Sequence, residues 1–392
     1  MPTSRYMQRA LALAARAMGD TSPNPLVGAV IVADGKVVGE GYHHRAGAPH
    51  AEREALKAAG KRARGATLYV TLEPCVHRGR TPPCVPALIA AGIARVIIAI
   101  EDPDEHVRGK GIEQLKRAGI AVETGDGSDE AREQNRAYLK QRTTGWPYVT
   151  LKIAQTTDGY VARAKGERTN ITGAQSAAFT RRLRIEHDAV LVGVDTIVVD
   201  DPLLTVRPRK RRAVPYARIV VDSRGRTPLD ARVVRTARAT RTIVATTRAM
   251  PPAQRKLYER RGVDVMICET DRTGRVNIAD LLDKLGRQGS LSVLCESGPR
   301  IACALFEAGL VDRVHWLIAP TIFGPAAAGV AVAAPPITRA RVVAALRLGS
   351  DTLITATPEN RLSSQDSSRI SARSSASRRM KARDASSSPA PH

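Results

Sequence analysis

The chain has 392 residues, which is enough for two domains of typical size and a short additional segment. Hydrophobic residues make up 43% of it, which excludes wholesale disorder because each domain can bury an apolar core. The formal net charge of +23 suits partners that carry phosphates, but no segment interleaves basic and aromatic side chains as a single-strand-binding surface does. We therefore expect small phosphorylated ligands and no nucleic acid.

Five cysteines at no disulfide-framework spacing predict a reducing environment, and we expect a cytoplasmic protein. No apolar stretch reaches the length of a transmembrane helix, so no membrane partner is expected. Residues 6–18 carry arginines but lack the uninterrupted apolar core of a signal peptide. They are predicted to form an amphipathic first helix.

In the first part of the chain, predicted helices alternate with short apolar strands. Residues 26–33 and 36–41 flank an Asp-Gly pair, which is typical of a β-hairpin. Further strands are predicted at 67–71, 95–100 and 120–123, and helices at 50–59, 83–91, 111–118 and 129–140. This alternation predicts an α/β domain, a sheet covered by helices.

The pattern restarts near residues 143–147 and predicts a second α/β domain. Its strands are predicted at 148–153, 189–194, 219–222, 242–246, 263–267, 291–295, 313–319 and 351–355, and its helices at 174–184, 252–260, 278–285 and 300–308. The remaining residues are rich in Ser, Arg and Ala, and such a segment buries too little apolar surface to fold. The predicted division is 1–145, 146–357, and a disordered basic tail at 358–392.

The most specific pattern is a set of zinc-ligand residue types in the first domain: His50-Ala-Glu52, Pro-Cys75 and Pro-Pro-Cys84. One imidazole and two thiolates leave the fourth tetrahedral position of a zinc ion open to water, as a catalytic site requires. The neighbouring prolines predict that His50 and Cys84 lie at helix N-termini. Glu52 is placed to exchange protons with that water. A closed zinc site with His77 as the fourth ligand, or no metal at all, is the structural alternative.

The spacing of the two cysteines narrows the choice among families of zinc deaminases. Zinc nucleobase deaminases usually have two residues between them, whereas eight separate Cys75 from Cys84. The longer motif, LEPCVHRGRTPPC at 72–84, resembles that of the bacterial bifunctional riboflavin-biosynthesis deaminase/reductases. So do SPNPLVG at 22–28, GAPHAE at 47–52 and the order of the two domains. The resemblance covers about residues 4–357.

For the first domain, the resemblance implies a cytidine-deaminase-like three-layer α/β/α fold, with His50, Cys75 and Cys84 on Zn²⁺ and Glu52 moving protons. The implied substrate is 2,5-diamino-6-(5-phosphoribosylamino)pyrimidin-4-one, whose C2 amino group leaves as ammonia. Asn24 would hydrogen-bond that substrate, although an asparagine between two prolines is also typical of a simple turn. Four basic residues are our candidates for contacting the phosphate, and each is equally consistent with a solvated surface: His43, His44, Arg78 and Arg80.

Four motifs of the second half resemble the reductase domain of the same enzymes: KIAQTTDG at 152–159, VGVDT at 192–196, DDPLLTVR at 200–207 and ESGP at 296–299. They imply a dihydrofolate-reductase-like α/β fold that uses NADPH to reduce a ribosyl group to ribityl. The implied NADPH contacts are Ala154, Thr196, Asp200, Ser223, Gly298, Pro299 and Arg300. The implied substrate contacts are Arg168, Arg184, Leu204, Arg207 and Glu296. Arginines suit a phosphate because the guanidinium binds it bidentately, yet each could be a solvated charge.

Two other functions fit parts of the sequence. One is a zinc deaminase of nucleic acid or free nucleobases with a basic accessory domain, and the other is a metal-stabilised binding protein without catalysis. The long cysteine spacing and the second α/β domain disfavour the former, and the presence of Glu52 beside an open zinc position disfavours the latter. We therefore expect the bifunctional enzyme, acting on phosphoribosyl pyrimidines. The resemblance also implies a homo-oligomer.

Overall fold

The computed structural model of the chain describes residues 2–77, 79–206, 215–324, 330–331 and 339–359. These residues form two α/β units, each built on its own large sheet. No helix within the described ranges is long and apolar enough to cross a membrane. Arg78, Arg207 and all but the first two residues of the predicted tail lie outside the described residues.

The first unit is a five-stranded sheet with strand order β2-β1-β3-β4-β5. Strand β1 is antiparallel to both of its neighbours, whereas β3, β4 and β5 are parallel. Its elements are, in chain order, α1 (Arg5–Ala15), β1 (Gly28–Ala33), β2 (Lys36–Tyr42), α2 (Ala51–Ala59), β3 (Thr67–Val70), α3 (Val85–Ala90), β4 (Arg95–Ile98), α4 (Lys110–Arg117), β5 (Ala121–Thr124), α5 (Ser128–Gln134) and α6 (Arg136–Thr144).

Helices cover both faces of this sheet, and the side chains of β1 show why. Ala29 and Ile31 are buried in a core with α2, α3 and α4, whereas Val30 and Val32 are buried with α1, α5 and α6. Successive residues of a strand point to opposite faces, so a continuous apolar strand requires a helical layer on each side. The predicted three-layer α/β/α architecture is confirmed.

The prediction of one helix over 129–140 was wrong, because the segment forms two helices that meet at Asn135. The Asn135 side chain is buried; its Oδ1 accepts from the Leu26 amide at 2.8 Å and its Nδ2 donates to the Leu26 carbonyl at 2.9 Å. Its backbone leaves the helical region, with φ −99° and ψ 13°. A long-range hydrogen-bonded pair therefore interrupts a segment whose local sequence favours a continuous helix.

The second unit is a nine-stranded sheet with strand order β11-β10-β9-β8-β12-β6-β13-β16-β15. Strands β11 to β13 in this order are parallel, and β16 and β15 are antiparallel to their neighbours. Its elements are β6 (Tyr148–Thr156), β7 (Tyr160–Ala162), α7 (Ala174–Glu186), β8 (Ala189–Gly193), α8 (Val194–Asp200), β9 (Ala217–Val221), α9 (Arg232–Arg235), β10 (Thr242–Thr246), α10 (Pro252–Arg260), β11 (Asp264–Ile267), α11 (Ile278–Arg287), β12 (Ser292–Cys295), α12 (Pro299–Glu307), β13 (Arg313–Ala319), β14 (Val330–Ala331), β15 (Ala340–Leu348) and β16 (Asp351–Pro358).

Every strand and helix predicted for this unit is present, and its parallel strands are covered by helices on both faces. Five elements were not predicted: α8, α9, β7, β14 and β15. Strand β15 is an edge strand whose exposed residues include Val342, at 59% exposure, and Leu346, at 56%. Its sequence lacks a buried face, so its conformation depends on pairing with β16.

Candidate active sites

The N-terminus of α2 places His50 and Glu52. His50 is the N-cap of the helix, with extended backbone angles of φ −74° and ψ 160°, and Glu52 is its second residue. Strand β2 passes close to this helix end: a Cβ on Gly41 would lie 2.4 Å from the Ala51 carbonyl oxygen. Glycine thus permits the close approach of β2 to α2, and the predicted position of His50 at a helix N-terminus is confirmed.

Backbone hydrogen bonds bring the two cysteines of the motif together. The amides of Cys84 and Val85 donate to the Cys75 carbonyl at 3.1 and 3.2 Å, which closes the loop between them. Cys84 is the N-cap of α3, as predicted, but the proline in the first turn is Pro86, and Pro82 and Pro83 precede the helix. The eight-residue separation therefore does not prevent the sulfur atoms from converging.

The three predicted zinc ligands converge, with their ligand atoms all within 4.8 Å of one another. His50 Nδ1 lies 3.4 Å from Cys75 Sγ and 3.4 Å from Cys84 Sγ. A tetrahedral zinc ion with ordinary bond lengths separates such N and S ligands by about 3.5 Å. His50 Nε2 lies 3.0 Å from the Thr81 hydroxyl, which would keep Nδ1 available to a metal. His77 does not join this group, so the described residues do not form the closed four-ligand site.

The environment of the two thiols favours the thiolate form of Cys75 over that of Cys84. A hydrogen bond from Cys84, and then one from His50, lowers the pKa of Cys75 to about 4. The same contact with Cys75, together with burial, raises the pKa of Cys84. Zinc binds the thiolate form of cysteine, so this donor set fits the ion.

Glu52, the predicted acid–base residue, is buried beside the three predicted ligands. Its side chain is 3% exposed, and its Oε2 has no hydrogen-bond partner among the described residues. Burial raises the pKa of Glu52 above the ordinary value for a glutamate. A buried acceptor without a partner carries a free-energy cost, which is characteristic of functional positions. Glu52, His50 and Cys75 line one cavity of about 260 Å³, and Cys84 is fully buried behind them.

Asn24 lies on the wall of that cavity and contacts His43. The His43 Nδ1 faces the Pro49 carbonyl at 3.1 Å and must carry the hydrogen, because a carbonyl oxygen only accepts. Burial lowers the pKa of His43, so its Nε2 accepts from the Asn24 amide nitrogen at 3.0 Å. The Asn24 Oδ1 is thereby oriented as the acceptor available to a ligand. A buried neutral histidine is poorly suited to the phosphate contact suggested for His43.

The sequence analysis did not identify a second wall of the cavity, formed by Asp102 and Tyr138. The Tyr138 hydroxyl donates to both oxygens of the Asp102 carboxylate, at 3.0 and 3.2 Å. Burial is the main cause that raises the pKa of Asp102 to about 6. The position of Asp102 just beyond the carboxyl end of a parallel strand was the available signal, because ligands bind at that edge.

Glu73 connects the zinc-ligand motif to this second wall. Its carboxylate is 3% exposed and accepts from the amides of Asp102, Gly109, Gly111 and Ile112 at 2.9–3.2 Å. Gly111 lies so close that a Cβ on it would be 2.3 Å from the Pro74 carbonyl oxygen. One acidic side chain next to Cys75 therefore anchors the whole segment that follows β4.

In the second unit, the residues implied by the resemblance gather at the carboxyl edge of the parallel strands. Ala154 is in β6, Thr196 follows β8, Ser223 follows β9 and Glu296 follows β12. Gly298 is the N-cap of α12, and Pro299 and Arg300 form its first turn. Ligands of open α/β sheets bind at this edge, and the N-terminus of a helix suits an anion.

Arg184 and Glu296 form a buried bidentate ion pair, with Nε–Oε1 and Nη2–Oε2 distances of 2.6 and 2.8 Å. Their side chains are 18% and 9% exposed. Lys152, which the sequence analysis did not select, lies near both: burial lowers its pKa, Glu296 raises it and Arg184 lowers it. The available signal was a lysine inside an otherwise apolar strand. Three charged side chains therefore lie together at this edge of the sheet.

The other predicted reductase contacts are more scattered. Arg168 is exposed and 3.9 Å from Asp200, and Arg300 pairs with Asp195 at 3.3 Å. Leu204 has a positive φ of 51° and is 3% exposed, so its side chain packs in the core. The buried guanidinium of Arg218 donates a hydrogen bond to the carbonyl of Leu203, the residue before Leu204, at 3.1 Å. The roles of these residues remain predictions.

Comparison with known proteins agrees with this arrangement. Residues 147–354 match the family model of the RibD C-terminal domain, and residues 2–100 match that of the cytidine and deoxycytidylate deaminase zinc-binding region. The riboflavin biosynthesis protein RibD of Actinobacillus pleuropneumoniae is 42% identical over 352 residues, covering 89% of this chain and 92% of that protein. RibD of Escherichia coli (strain K12) is 43% identical over 345 residues, covering 84% and 90%.

The chain belongs to the RibD family. It is a bifunctional enzyme of riboflavin biosynthesis, a deaminase joined to a reductase. Among solved structures, Acinetobacter baumannii RibD has a TM-score of 0.81 and 38% identity, covering 90% of this chain and 98% of that one. A Thermotoga maritima diaminohydroxyphosphoribosylaminopyrimidine deaminase/5-amino-6-(5-phosphoribosylamino)uracil reductase has a TM-score of 0.77 and 33% identity, covering 90% and 97%.

The RibD family assignment also clarifies the limits of the local motif. The match to the deaminase zinc-binding region ends at residue 100, whereas the cavity wall includes Asp102, Tyr138 and Arg142. The deaminase site of this RibD protein therefore extends beyond the segment that its zinc motif defines. The residues of this extension come from the loop after β4 and from α6.

Proposed function

We propose that the first domain deaminates 2,5-diamino-6-(5-phosphoribosylamino)pyrimidin-4-one with zinc, and that the second reduces the ribosyl group of the product to ribityl with NADPH. The observation that carries this proposal is the convergence of His50 Nδ1 and two cysteine sulfurs within 4.8 Å of one another, at a cavity lined by His50, Cys75 and the buried Glu52. The RibD family assignment supports the choice of substrate, because the Thermotoga maritima relative is named for these two reactions.

In the deaminase, His50, Cys75 and Cys84 would hold Zn²⁺, which when bound supplies a water of lowered pKa. Glu52 accepts a proton from the water that attacks C2 of the ring and delivers it to the adjacent ring nitrogen. A second proton passes through Glu52 to the amino group, which leaves as ammonia. The raised pKa of Glu52 suits this role, because a carboxyl that titrates closer to the working pH both accepts and donates.

Asn24 would orient the substrate, because its Oδ1 can accept a hydrogen bond from a ring or amino N–H. Asp102 also lines the cavity, buried and held by Tyr138. Two fixed polar groups from different segments would restrict how a flat pyrimidine can turn in the cavity. Arg80, which also lines the cavity, is our candidate for the phosphate.

In the reductase, NADPH would lie along the carboxyl edge of the sheet, with contacts from Ala154, Thr196, Asp200, Ser223 and the turn formed by Gly298, Pro299 and Arg300. Bound there, NADPH supplies a hydride for C1′ of the opened sugar. Substrate contacts are proposed for Arg168, Arg184, Leu204, Arg207 and Glu296. Arg184 holds the Glu296 carboxylate in one orientation, which suits a fixed contact with the substrate.

We propose a division of the described chain at residues 145 and 146, between α6 and β6, with the reductase extending to 357. The ligands are small phosphoribosyl pyrimidines and not nucleic acid, and the chain is proposed to form a homo-oligomer. No disulfide joins the five cysteines, all of which lie within the described residues, and a zinc site built on two of them suits a reducing compartment such as the cytoplasm.

The test uses the full-length chain purified with zinc. Ammonia release from the diaminopyrimidine is expected without NADPH, and NADPH oxidation is expected once the deaminated product is present. Absence of both steps would overturn the proposal. Steeply salt-dependent binding to single-stranded RNA, with deamination of that RNA, would instead support the nucleic-acid deaminase.

A further inference from the structure

We propose that Asp188 of the reductase domain is a positioning residue of the deaminase site, acting through Ser22 on the segment that carries Asn24. The inference rests on the proposed function of the first domain. It assigns to the second domain a role in the first reaction: part of the deaminase cavity wall is held in place from outside the deaminase domain.

The contact that carries this inference is a buried hydrogen bond between the two domains. The Ser22 hydroxyl donates to Asp188 Oδ2 at 2.9 Å, and both residues are 6% exposed. The same carboxylate oxygen accepts from the Leu291 amide at 2.7 Å, so the reductase backbone fixes its direction. A charged acceptor of this kind forms a stronger hydrogen bond than a neutral one.

Ser22 is directly joined to the cavity wall. The next three residues, Pro23, Asn24 and Pro25, all line the cavity, and the Asn24 amide donates to the Thr21 carbonyl at 2.9 Å. On the far side of this segment, Leu26 is held by both polar atoms of the Asn135 side chain. The segment is therefore fixed at its two ends, at one by its own domain and at the other by the reductase.

A second part of the cavity wall, on α6, is also attached to the reductase. One side of this helix gives Tyr138 and Arg142 to the cavity. Between them in sequence, the Lys140 ammonium donates to Asp312 Oδ2 at 2.5 Å, and that oxygen also accepts from the Val149 amide at 2.7 Å. Both walls of the deaminase cavity thus have anchors in the second domain.

Asp188 is remote from the chemistry of its own domain. It directly precedes β8, and Leu291 directly precedes β12, so both lie at the amino edge of the parallel strands. The predicted reductase residues Thr196 and Glu296 follow the carboxyl ends of those same two strands. A change in the Ser22–Asp188 contact should therefore affect the deaminase and leave the reductase unchanged.

The experiment compares Ser22→Ala with the unaltered full-length chain loaded with zinc. Because Asn24 loses an anchor, the deaminase KM should rise roughly five- to ten-fold, while kcat and bound zinc change little. The reductase kinetics with deaminated substrate should not change. Asp188→Ala should have a similar effect, and the double variant should be no worse than the more affected single variant, since both remove one interaction.

Glu133→Gln is the matched control. Glu133 also joins the two domains, through Arg313, but it does not line the cavity. Its deaminase KM should equal that of the unaltered chain. An equal rise in KM in this control would show that any weakened domain contact has the same effect. That result, or a loss of zinc or of reductase activity in Ser22→Ala, would overturn the inference.

Amide hydrogen exchange over residues 21–26 tests the anchor without turnover, and so separates the inference from the proposed function. Faster exchange in Ser22→Ala, but not in Glu133→Gln, supports the inference even if the unaltered chain releases no ammonia. Unchanged exchange together with unchanged KM in Ser22→Ala shows that Asp188 does not position this segment.

Discussion

The two catalytic sites of this protein are built in different ways. In the deaminase, His50, Cys75 and Cys84 come from two helix N-termini and one loop, and their ligand atoms meet within 4.8 Å of one another. In the reductase, the predicted residues are spread along the carboxyl edge of a nine-stranded sheet, each on a different loop or strand. The first site is a compact group of ligand atoms, and the second is an extended surface.

The acidic residues of the two sites also differ in their hydrogen-bond partners. Glu52 has a carboxylate oxygen with no hydrogen-bond partner among the described residues, whereas Glu296 has both oxygens paired with Arg184. A buried acceptor without a partner is available to water or substrate, while a paired one must exchange a partner before it can act. We therefore expect single substitutions in the deaminase site to cost more activity than single substitutions in the reductase site.

The largest effect is expected from Cys75→Ser, which replaces a sulfur ligand. Zinc content should fall and ammonia release should become undetectable, because two remaining ligands bind the ion poorly. NADPH oxidation with the deaminated substrate should persist, which serves as the internal control for folding. Metal analysis and the two rate assays on one sample decide the result. A variant that keeps its zinc and its deaminase rate would remove Cys75 from the ligand set.

Glu52→Gln separates proton transfer from metal binding. The glutamine keeps the size of the side chain but cannot carry a proton, so kcat for ammonia release should fall by about 10²- to 10⁴-fold. Zinc content and reductase rate should match those of the unaltered chain. Normal deamination by this variant would show that another group moves the protons.

Glu296→Gln tests the network in the reductase. Arg184 and Lys152 would then lose their nearby carboxylate, and the reductase kcat/KM should fall by roughly 10- to 100-fold. Ammonia release should not change, because Glu296 lies at the edge of the sheet opposite to the domain contact. The matched control is Glu259→Gln on the exposed helix α10, whose pair with Arg255 should contribute little. A loss no larger than that of the control contradicts a role for Glu296.

The last prediction concerns the pH dependence of stability and not a reaction rate. Burial lowers the pKa of His315 in β13 from 6.5 to about 4, so the folded state resists protonation that the unfolded chain accepts. Stability from this group is complete above pH 6.5 and is lost as pH falls towards 4, by up to ~3 kcal/mol. His315→Gln should flatten the pH dependence of reductase unfolding in that window. The free energy of unfolding is measured by denaturant titration from pH 7 to pH 4. If it changes with pH as much in His315→Gln as in the unaltered chain, the prediction is contradicted.

Local patterns predicted most of the elements, because strands and helices in α/β domains follow from apolar periodicity and turn residues. The Asp34-Gly35 hairpin and the helix N-termini at His50 and Cys84 are examples. The single helix predicted at 129–140 was wrong because Asn135 bonds to Leu26, more than a hundred residues away in sequence. No periodicity within the segment could reveal that partner.

By itself, the sequence determined the two α/β units, the zinc-ligand residues and the neighbouring acid, because those features depend on residue type and on spacing over a few residues. Only the tertiary structure decided which distant groups complete each site: Tyr138 behind Asp102, Lys152 beside the Arg184–Glu296 pair, and Asp188 against Ser22. Such contacts join residues far apart in the chain, and their energies arise from burial and geometry that exist only after the elements have packed.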